Sequence, residues 1–281
     1  MARFTHERIS DHIVRIVDPC KVAVYLVTGG ERCVLLDTGC GCVGLRNEVE
    51  SLTDLPVTVL VTHGHVDHAF GAGEFGEAFI NMSDVPVYLD HSDNAYRKQF
   101  VRAILGEGAS FELVDPLPLE RFSPLRDGDI FDLGGVAVRV LSVPGHTMGM
   151  MVAYIDADET MLLGDACGPG TILLEDCSMP VDVYYRALCH LEQEGPRFTR
   201  VLRNHGTFES SPALLPNVIE VCRRILNGED DRVLLDASLG AILPRSRNLP
   251  IYQAVKTVYR DGHPVCADGL EGNVTYRFDK A

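Results

Sequence analysis

The sequence predicts a mixed α/β fold, and three observations carry that prediction. Short apolar runs rich in β-branched residues recur along the chain, and each is typical of a buried strand. Three longer segments place apolar residues at the helical period of 3.6. The strand-rich pattern of the first half returns in the second half, after a segment rich in Gly, Pro and Glu.

The first part of the chain predicts a group of strands with one early helix. Gly29-Gly30 separates two of the apolar runs and is typical of a hairpin turn. Strands are predicted at 13–17, 22–27, 34–37 and 57–61, and a helix is predicted over 45–52.

The middle of the chain predicts a short strand, a helix and a long loop. Pro86-Val87-Tyr88-Leu89 is apolar enough to indicate a short strand, and residues 91–105 indicate a helix with one polar face. Residues 106–124 are predicted to be a loop that crosses between the halves, and they are a candidate substrate flap.

The second half predicts four strands followed by two amphipathic helices. The helices are indicated from Val181 to Leu191 and from Leu214 to Leu226, where Asn227-Gly228 ends the second one. The four strands are predicted at 128–133, 136–143, 151–155 and 160–163.

The pattern changes after residue 228, so we predict a main domain over 1–228 and a C-terminal extension over 229–281. Within the extension, residues 251–258 and 273–278 look like strands. The extension is expected to pack on the main domain, and an edge hairpin, a dimer arm and a lid all fit its sequence.

Residues 61–71 hold the densest group of chemistry-bearing side chains. His63, His65, Asp67 and His68 follow directly after the apolar run 57–61. Because alternate residues of an extended segment point the same way, His63 and His65 can share one direction, while Asp67 and His68 face a second point. Imidazole and carboxylate groups suit zinc, iron or manganese. One metal takes three or four ligands, so four candidates divided between two directions indicate two metals.

Three further candidates stand beside glycine at the ends of predicted strands. His146 follows Gly145, Asp165 follows Gly164, and His205 precedes Gly206. Glycine lets the backbone turn sharply there and leaves room for a metal or substrate. Any one of these residues alone would be taken as an ordinary loop residue, but their shared placement predicts one site.

These motifs resemble the metallo-β-lactamase fold superfamily over about residues 12–227. Its signature is His-x-His-x-Asp-His followed by a distant histidine, an aspartate and a final histidine. An early Asp-Thr-Gly after a strand is matched by Asp37-Thr38-Gly39. The signature residues match His63, His65, Asp67, His68, His146, Asp165 and His205. The resemblance implies a four-layer αββα sandwich with a dinuclear metal centre at one edge of two packed sheets.

The resemblance also implies how the residues divide between two divalent ions, with zinc expected first and iron or manganese as alternatives. The first site would take His63, His65 and His146, the second would take Asp67, His68 and His205, and Asp165 would bridge them together with a hydroxide.

The expected chemistry is attack by a metal-bound hydroxide. Two cations about 3.5–4 Å apart hold the attacking and leaving oxygens, and the pKa of a metal-bound water falls to about 7. Asp67 and Asp165 are the predicted catalytic carboxylates, since Asp67 can orient the hydroxide by accepting its proton in a hydrogen bond. Asp37 is predicted to hold the second nitrogen of a ligand histidine, and forming a turn before Thr38-Gly39 is its alternative role.

The predicted function is hydrolysis of a small ester, thioester, lactone or amide, with the strongest likeness to glyoxalase II-like hydrolases. Fold and ligands do not fix the substrate in this superfamily. Lactonases that degrade acyl-homoserine signals carry a tyrosine where this chain has Gly168. True glyoxalase II has a basic, helical C-terminal region for glutathione, whereas this tail looks like strands.

Two other classes remain open. Persulfide dioxygenases use a single iron and keep a similar motif, so an iron-dependent oxidoreductase is the alternative function. Flavodiiron proteins share the fold but carry Glu where His65 stands, together with a flavodoxin domain. A non-catalytic scaffold is disfavoured because it need not retain seven ligands. Metal analysis would separate these classes.

Composition limits the setting and the partners. The 40 acidic and 25 basic residues give a net charge of −15, which argues against a general nucleic-acid surface. No apolar run has the length of a membrane helix, and the first residues lack the apolar core of a signal peptide, so we expect a cytoplasmic protein. Its expected partner is a small-molecule substrate, and a homodimer is possible.

The cysteines do not predict a disulfide framework. They number nine and are scattered through the chain. Cys40-Gly41-Cys42 has no partner pair in the sequence, so a zinc ribbon is not expected there. Cys167 follows Asp165 closely and is predicted to be a small buried residue, with a substrate or redox role as the alternative.

Overall fold

The architecture is mixed α/β, as the sequence predicts. The computed structural model describes residues 3–234, 251–255, 257–260, 263–266 and 271–281. Within these ranges the chain forms two large β-sheets, two smaller sheets and α-helices that pack on the outer faces.

The first large sheet contains seven strands that lie in chain order. They are β1 (Thr5–Arg8), β2 (Ile13–Val17), β3 (Ala23–Thr28), β4 (Cys33–Leu36), β5 (Val57–Val61), β6 (Ala78–Ile80) and β7 (Phe122–Pro124). The first four strands pair antiparallel, whereas β4 to β7 run parallel. Leu36 stands opposite Leu60, so β4 and β5 release the chain at the same edge.

The second large sheet is built from strands of the second half. The strands in this region are β8 (Ile130–Asp132), β9 (Ala137–Ser142), β10 (Met151–Ile155), β11 (Thr160–Leu162), β12 (Thr171–Leu173), β13 (Arg200–Leu202) and β14 (Glu209–Ser210). All except β12 join the sheet, in the order β14-β13-β11-β10-β9-β8. The strands β11 and β13 are parallel, with Leu162 opposite Leu202, so their C-terminal ends also meet at one edge.

The described helices are α1 (Leu45–Leu52), α2 (Val85–His91), α3 (Asn94–Leu105), α4 (Val181–Glu194) and α5 (Leu214–Leu226). None of the helices in the part of the chain that the structure describes is long and apolar enough to cross a membrane.

The two large sheets pack face to face with helices outside them. Alternate residues of a strand point to opposite faces. Tyr25 of β3 therefore lies in the core between the sheets, and Leu26 lies in the core shared with α1. In β10, Ala153 faces the first sheet, whereas Val152 packs with α4 and α5. The result is the four-layer αββα arrangement that the resemblance implies.

The tail forms further strands that pair with the main body. They are β15 (Val233–Leu234), β16 (Ile251–Val255), β17 (Thr257–Arg260), β18 (His263–Cys266) and β19 (Asn273–Arg277). The strand β19 pairs parallel with β12 and antiparallel with β16. Val274 and Tyr276 join the core beneath α4 and α5. The predicted domain boundary at residue 228 stays a prediction.

Most predicted elements are present, and several have the predicted bounds. Those at 13–17, 45–52, 57–61 and 151–155 coincide with β2, α1, β5 and β10. The predicted helix at 214–226 also coincides with α5. The predicted strand at 251–258 covers β16 and the start of β17. The other predicted strands and α4 differ by a few residues at their ends, where assignments ordinarily vary.

The prediction of a strand at Pro86–Leu89 is wrong, because these residues belong to α2. Proline is accommodated in the first turn of a helix, where its missing N–H has no partner to lose. The predicted helix at 91–105 is divided, since α2 ends at His91 and Asp93 caps α3 by accepting a hydrogen bond from the backbone of Tyr96 at 2.8 Å.

The strands that sequence patterning missed include β1, β6, β7 and β12. Each is only three or four residues long and lacks an extended β-branched run. They are specified by pairing with neighbouring strands, which a local pattern does not contain. The predicted loop over 106–124 therefore ends in a strand.

Gly71 allows the loop after β5 to pack on the loop after β4. A Cβ at Gly71 would lie 2.2 Å from the carbonyl oxygen of Thr38. We expect Gly71→Ala to lower the free energy of unfolding by about 1–3 kcal/mol, as overpacking does. Urea unfolding measures this change in the free energy of unfolding. Gly108→Ala is the control, since a Cβ there meets nothing within 4 Å, and its change should stay under about 1 kcal/mol. Equal effects would contradict the packing argument.

Candidate metal centre

The predicted site residues lie together at the edge where strands of both sheets end. Asp37 follows β4, the loop from His63 to His68 follows β5, and His146 lies between β9 and β10. Asp165 follows β11 and His205 follows β13. Parallel pairing of β4 with β5 and of β11 with β13 brings the ends of these strands together.

Three histidines form the first group, which we call the triad A: His63, His65 and His146. The Nε2 of His63 lies 3.1 Å from Nδ1 of His65, and Nε2 of His146 lies 2.9 Å from the same Nδ1. All three side chains are buried. Their facing nitrogens lie within 4.8 Å of one another, which is close enough to share one ion.

The second group, the triad B, contains Asp67, His68 and His205, with Asp165 between it and triad A. The Nε2 of His205 lies 3.2 Å from Nε2 of His68 and 3.4 Å from Oδ2 of Asp67. The Oδ2 of Asp165 lies 3.4 Å from Nε2 of both His68 and His205. It also lies 3.7 Å from Nε2 of His146, so one carboxylate oxygen faces both triads.

The outer nitrogens of three histidines have acceptors, and these acceptors assign the tautomers. His146 donates from Nδ1 to the carbonyl of Ile172 at 2.8 Å. His68 donates from Nδ1 to Asp37 at 2.9 Å. The hydroxyl of Thr62 donates to Asp37 and therefore accepts from Nδ1 of His63 at 3.0 Å.

The orientation of His65 is reversed relative to these three. Its Nδ1 faces the other two histidines of triad A, whereas its Nε2 lies 3.5 Å from the carboxylate of Glu175 and 3.7 Å from Sγ of Cys177. The ring of His91 stacks on His65 at a centroid distance of 5.0 Å and accepts a hydrogen bond from the backbone of Val66.

Sequence reasoning did not identify Glu175, Cys177 and His91 as part of this environment. Glu175 and Cys177 follow the apolar residues of β12 and Leu174, which is the same signal that selected Asp165. His91 has no comparable signal because it lies inside α2.

The electrostatics of the centre differ from one histidine to the next. Burial lowers the pKa of His63 and His146, and the charges of neighbouring histidines lower it further. Burial would also lower the pKa of His65, but hydrogen bonds to Cys177 and Glu175 outweigh it and raise that pKa to about 10. At His68 the carboxylates of Asp165 and Asp67 outweigh burial, and its pKa is raised as well.

The carboxylates respond in the opposite sense. Burial alone would raise the pKa of Asp67 and Asp165, yet the facing His68 and His205 lower both values. Both groups are therefore ionised at neutral pH. The combination of imidazole nitrogens, directed inward and surrounded by ionised carboxylates, is a donor set that suits zinc, iron or manganese.

Asp37 lies where the sequence analysis expects it, since its carboxylate contacts a histidine of the candidate centre. It is fully buried, and its backbone has a φ of 65° in the left-handed region. Besides His68, it accepts hydrogen bonds from the backbone and hydroxyl of Thr62 and from the side chain of Asn204. Asn204 follows β13, so this carboxylate joins the two large sheets.

Asp84 fixes the loops that carry triad A and was not expected from the sequence. Its carboxylate accepts hydrogen bonds from the backbone of Gly64 at 2.9 Å and from the hydroxyl of Thr147 at 2.7 Å. It also accepts from the backbone of Gly149 at 2.6 Å. The loops of His63 and His146 are therefore held together by one buried carboxylate.

The tail reaches the same region through Arg277 and Lys280. Arg277 is 2% exposed and donates to the carbonyl of Leu174 and to Asp176. Lys280 is buried and donates to the carbonyl of Ser178. The segment between Leu174 and Ser178, which carries Glu175 and Cys177, is thus held in place by the end of the chain.

A cavity of about 500 Å³ opens directly beside the centre. His146, Asp165 and His205 line one side, and the segment from Gly168 to Ile172 lines another. Arg203 and Glu271 place charged groups in its wall. Cys167 is fully buried in the core with α4 and α5, as predicted for a small buried residue, and burial raises the pKa of its thiol.

Comparison with known proteins identifies the class. The sequence profile described as Metallo-beta-lactamase superfamily matches residues 17–215, so the chain belongs to that superfamily. The fold has solved counterparts, among them a metallo-beta-lactamase family protein of Thermus thermophilus. That structure has a TM-score of 0.55 and 22% identity, covering 86% of this chain and 87% of its own.

Two curated relatives illustrate the sequence likeness. An uncharacterised protein of Mycobacterium tuberculosis is 31% identical over 140 residues, which are 47% of this chain and 59% of that protein. This chain therefore spans less than two thirds of that relative's length. A probable metallo-hydrolase of Streptococcus pyogenes is 26% identical over 187 residues, covering 65% of this chain and 78% of that protein.

The contacts of Asp37 generate a prediction for metal affinity. We expect Asp37→Asn to weaken metal binding by about 10–100-fold, because the outer nitrogen of His68 loses its carboxylate acceptor. Asparagine tolerates the left-handed backbone at this position. Competition with a chromophoric chelator measures the affinity. Asp182→Asn, on the exposed surface of α4, is the control and should bind like wild type. Unchanged affinity in Asp37→Asn would contradict this role.

Proposed function

We propose that this protein is a dinuclear metal-dependent hydrolase of a small ester, thioester, lactone or amide. One observation carries the proposal. The inward nitrogens of His63, His68 and His146, whose outer nitrogens already donate to acceptors, meet the ionised carboxylates of Asp67 and Asp165 beside one cavity. A structural histidine cluster would satisfy these nitrogens with protein donors, whereas here they face each other.

The division into two triads supports two ions. The facing atoms of triad A lie within 4.8 Å of one another, and so do those of triad B. The single oxygen Oδ2 of Asp165 faces His68, His205 and His146. We therefore assign one ion to each triad and a shared position to Asp165. Zinc is our first choice, since neutral imidazoles and carboxylates are its common ligands.

The ions would supply Lewis-acid activation of a water and of the acyl oxygen of the substrate. Asp67 is ionised and lies beside His205, so its Oδ2 can accept the proton of the attacking water. His205, whose side chain is 40% exposed, is the triad B residue that lines the cavity, and it can contact the substrate. The outer contacts of His63, His68 and His146 keep their rings fixed during turnover.

The size of the cavity supports a small substrate. Its volume of about 500 Å³ lies within the usual range of about 300–1,000 Å³ for small-molecule sites. Gly168 lines this cavity at the position where acyl-homoserine lactonases carry a tyrosine, so we disfavour that substrate. The Streptococcus pyogenes relative, named a probable metallo-hydrolase, supports hydrolysis in general terms.

Metal content tests the proposal. Replacing His63 and His146 by alanine should remove one bound ion per chain, and replacing His68 and His205 should remove another. The exposed His6→Ala should retain the wild-type content. Elemental analysis after mild purification gives the counts, and chromogenic ester, thioester, lactone and amide substrates then define the class. A single iron lost in both histidine variants, with oxygen consumption, would instead favour the persulfide dioxygenase-like alternative.

Asp67 is expected to matter for turnover rather than for folding. Asp67→Ala should lower kcat by at least about 10²-fold, the low end for losing a positioned proton acceptor. Its Tm in excess chelator should equal that of wild type, because its side chain adds no apolar packing. Asp54→Ala, at an exposed position after α1, is the matched control and should keep full activity. Near-normal turnover of Asp67→Ala would show that the assignment is wrong.

A further inference from the structure

A second cluster of side chains that could bind a metal lies next to the segment that carries Asp37. Asp18 and Cys20 follow β2, whereas Cys40 and Cys42 follow β4. A carboxylate oxygen of Asp18 and the sulfurs of Cys20 and Cys40 lie within 4.8 Å of one another. Cys42 lies in the same buried cluster as Cys20 and Cys40. We call these four residues the thiol cluster.

The thiol cluster is closed to solvent. Asp18 is 2% exposed, Cys40 is 0% exposed, and Cys20 and Cys42 are each 4% exposed. The Cys40-Gly41-Cys42 sequence lacks a partner pair locally, but the fold supplies partners from the end of β2. The fold thus brings together three thiols and one carboxylate, although their spacing in the sequence does not predict that they are neighbours.

Two buried groups beside the thiol cluster that can carry charge form no ion pair with any residue that the structure describes. The carboxylate of Asp18 accepts hydrogen bonds from the backbones of Val22 and Cys40, but among the described residues it forms no ion pair. Burial raises the pKa of this carboxyl. A buried carboxylate is costly unless a cation or further hydrogen bonds compensate it.

Arg97 is the second of these groups. It is fully buried, donates to the carbonyl of Val114 and the side chain of Asn94, and lies over the ring of Phe70. Among the described residues it has no carboxylate within 4 Å, and its Nε has no hydrogen-bond partner. A Cβ at Gly41 would lie 2.8 Å from its Nη2, so this guanidinium sits against the segment between Cys40 and Cys42.

Isolated buried cysteines ordinarily behave as small apolar residues, and this chain contains examples. Cys222 packs in the core with α5, and Cys33 packs in the core with α1. Cys20, Cys40 and Cys42 also lie in an apolar cluster with Val22 and Val101. They differ because the carboxylate of Asp18 and the guanidinium of Arg97 lie against the same segment. Apolar packing alone does not account for the charged groups.

We propose that Asp18, Cys20, Cys40 and Cys42 bind one zinc-class divalent ion in a closed, structural site. Tetrahedral coordination with Zn–S bonds of about 2.3 Å places sulfurs about 3.8 Å apart. The sulfurs of Cys20 and Cys40 lie within 4.8 Å of each other and of a carboxylate oxygen of Asp18, so these two sulfurs need a contraction of about 1 Å or less. Cys42 stands outside this group of three and must move towards it to complete the four ligands. Gly39 and Gly41, with φ of 68° and 76°, let the segment pass close to Asp18, since a Cβ at Gly39 would lie 2.7 Å from Oδ2 of Asp18.

Binding balances protons and charge. Three S–H bonds break, three metal–sulfur bonds form, and three protons pass to solvent. No electron is transferred. Three thiolates and Asp18 carry four negative charges, of which the ion and Arg97 together offset three. Both of the unpaired buried charges then acquire partners.

The site would stabilise the segment that supports the candidate metal centre. Thr38 lies between Asp37 and the thiol cluster, and its backbone and hydroxyl both donate to the carbonyl of His68, at 2.7 and 2.8 Å. The carbonyl of Gly39 accepts from the backbone of Phe70 at 3.3 Å. An ion held by Cys40 and Cys42 would therefore fix the segment from which Asp37 reaches His68, without contacting substrate.

Cobalt substitution of the reduced, full-length protein tests the proposal. Cobalt bound by thiolates gives a charge-transfer band in the near ultraviolet, which imidazole and carboxylate ligands do not give. We expect this band in wild type, and we expect its loss together with one equivalent of bound cobalt in the Cys20→Ser, Cys40→Ser double variant. The Cys33→Ser, Cys222→Ser double variant is the matched control and should keep both.

Two further variants show which thiolates produce the charge-transfer band. Cys177→Ser should keep it, although Cys177 lies near His65, and alanine at His63 and His146 should also keep it. Loss of the band in Cys177→Ser alone would place the thiolate at the histidine centre and overturn the proposal. So would a fully cobalt-loaded wild type that shows no band.

Thiol alkylation decides the question if the cluster variant does not fold. Cadmium should slow alkylation of Cys20, Cys40 and Cys42 together in the wild-type protein, as read by mass spectrometry of peptides. Cys222 should react at an unchanged rate. Equal rates for the three cluster thiols with and without cadmium would show that they bind no ion. Because the histidine centre has no part in this readout, failure of the hydrolase proposal leaves the result unaffected.

Discussion

The arrangement of the site depends on the hydrogen bonds that the carboxylate of Asp37 accepts. It lies at the end of β4, is fully buried, and accepts hydrogen bonds from Thr62, His68 and Asn204. Thr62 follows β5 and Asn204 follows β13, so one residue connects both large sheets with a histidine of triad B. Because Thr62 in turn accepts from His63, the same carboxylate influences triad A. A buried acceptor with this many donors sets the positions of the loops that carry these residues.

A second set of contacts fixes the remaining histidines from outside the strands. Asp84 joins the loops of His63 and His146, and Glu175 faces the outer nitrogen of His65. The segment that carries Glu175 is held by Arg277 from the last strand. The end of the chain therefore supports the centre, although it lies outside the matched superfamily region of residues 17–215. A centre assembled in this way is rigid before any ion or substrate arrives, and rigidity of the ligands is a condition for affinity and for catalysis.

The sequence located the residues that meet at the candidate metal centre better than it located some of the strands. His63, His65, Asp67 and His68 follow a five-residue apolar run, and a dense group of ligand-type side chains at a strand end is a local signal. His146, Asp165 and His205 were recognisable by the same placement beside glycine. In contrast, the sequence predicts a strand where the structure has the helix α2, because a proline within an apolar run is compatible both with a strand and with the first turn of a helix. The short strands β6, β7 and β12 have no adequate local signal, since each is specified by its neighbours in the sheet.

The sequence by itself determined the fold class, most of the helices and the candidate ligand side chains, because these depend on local periodicity and on residues close together in the chain. The tertiary structure decided which nitrogens face inward, how Asp165 stands between the two triads, and that Glu175, Asp84 and Arg277 support the loops. It also brought Cys20 next to Cys40. These contacts join residues 20 to more than 100 positions apart, and their distances follow from the packing of two sheets, which no local pattern contains.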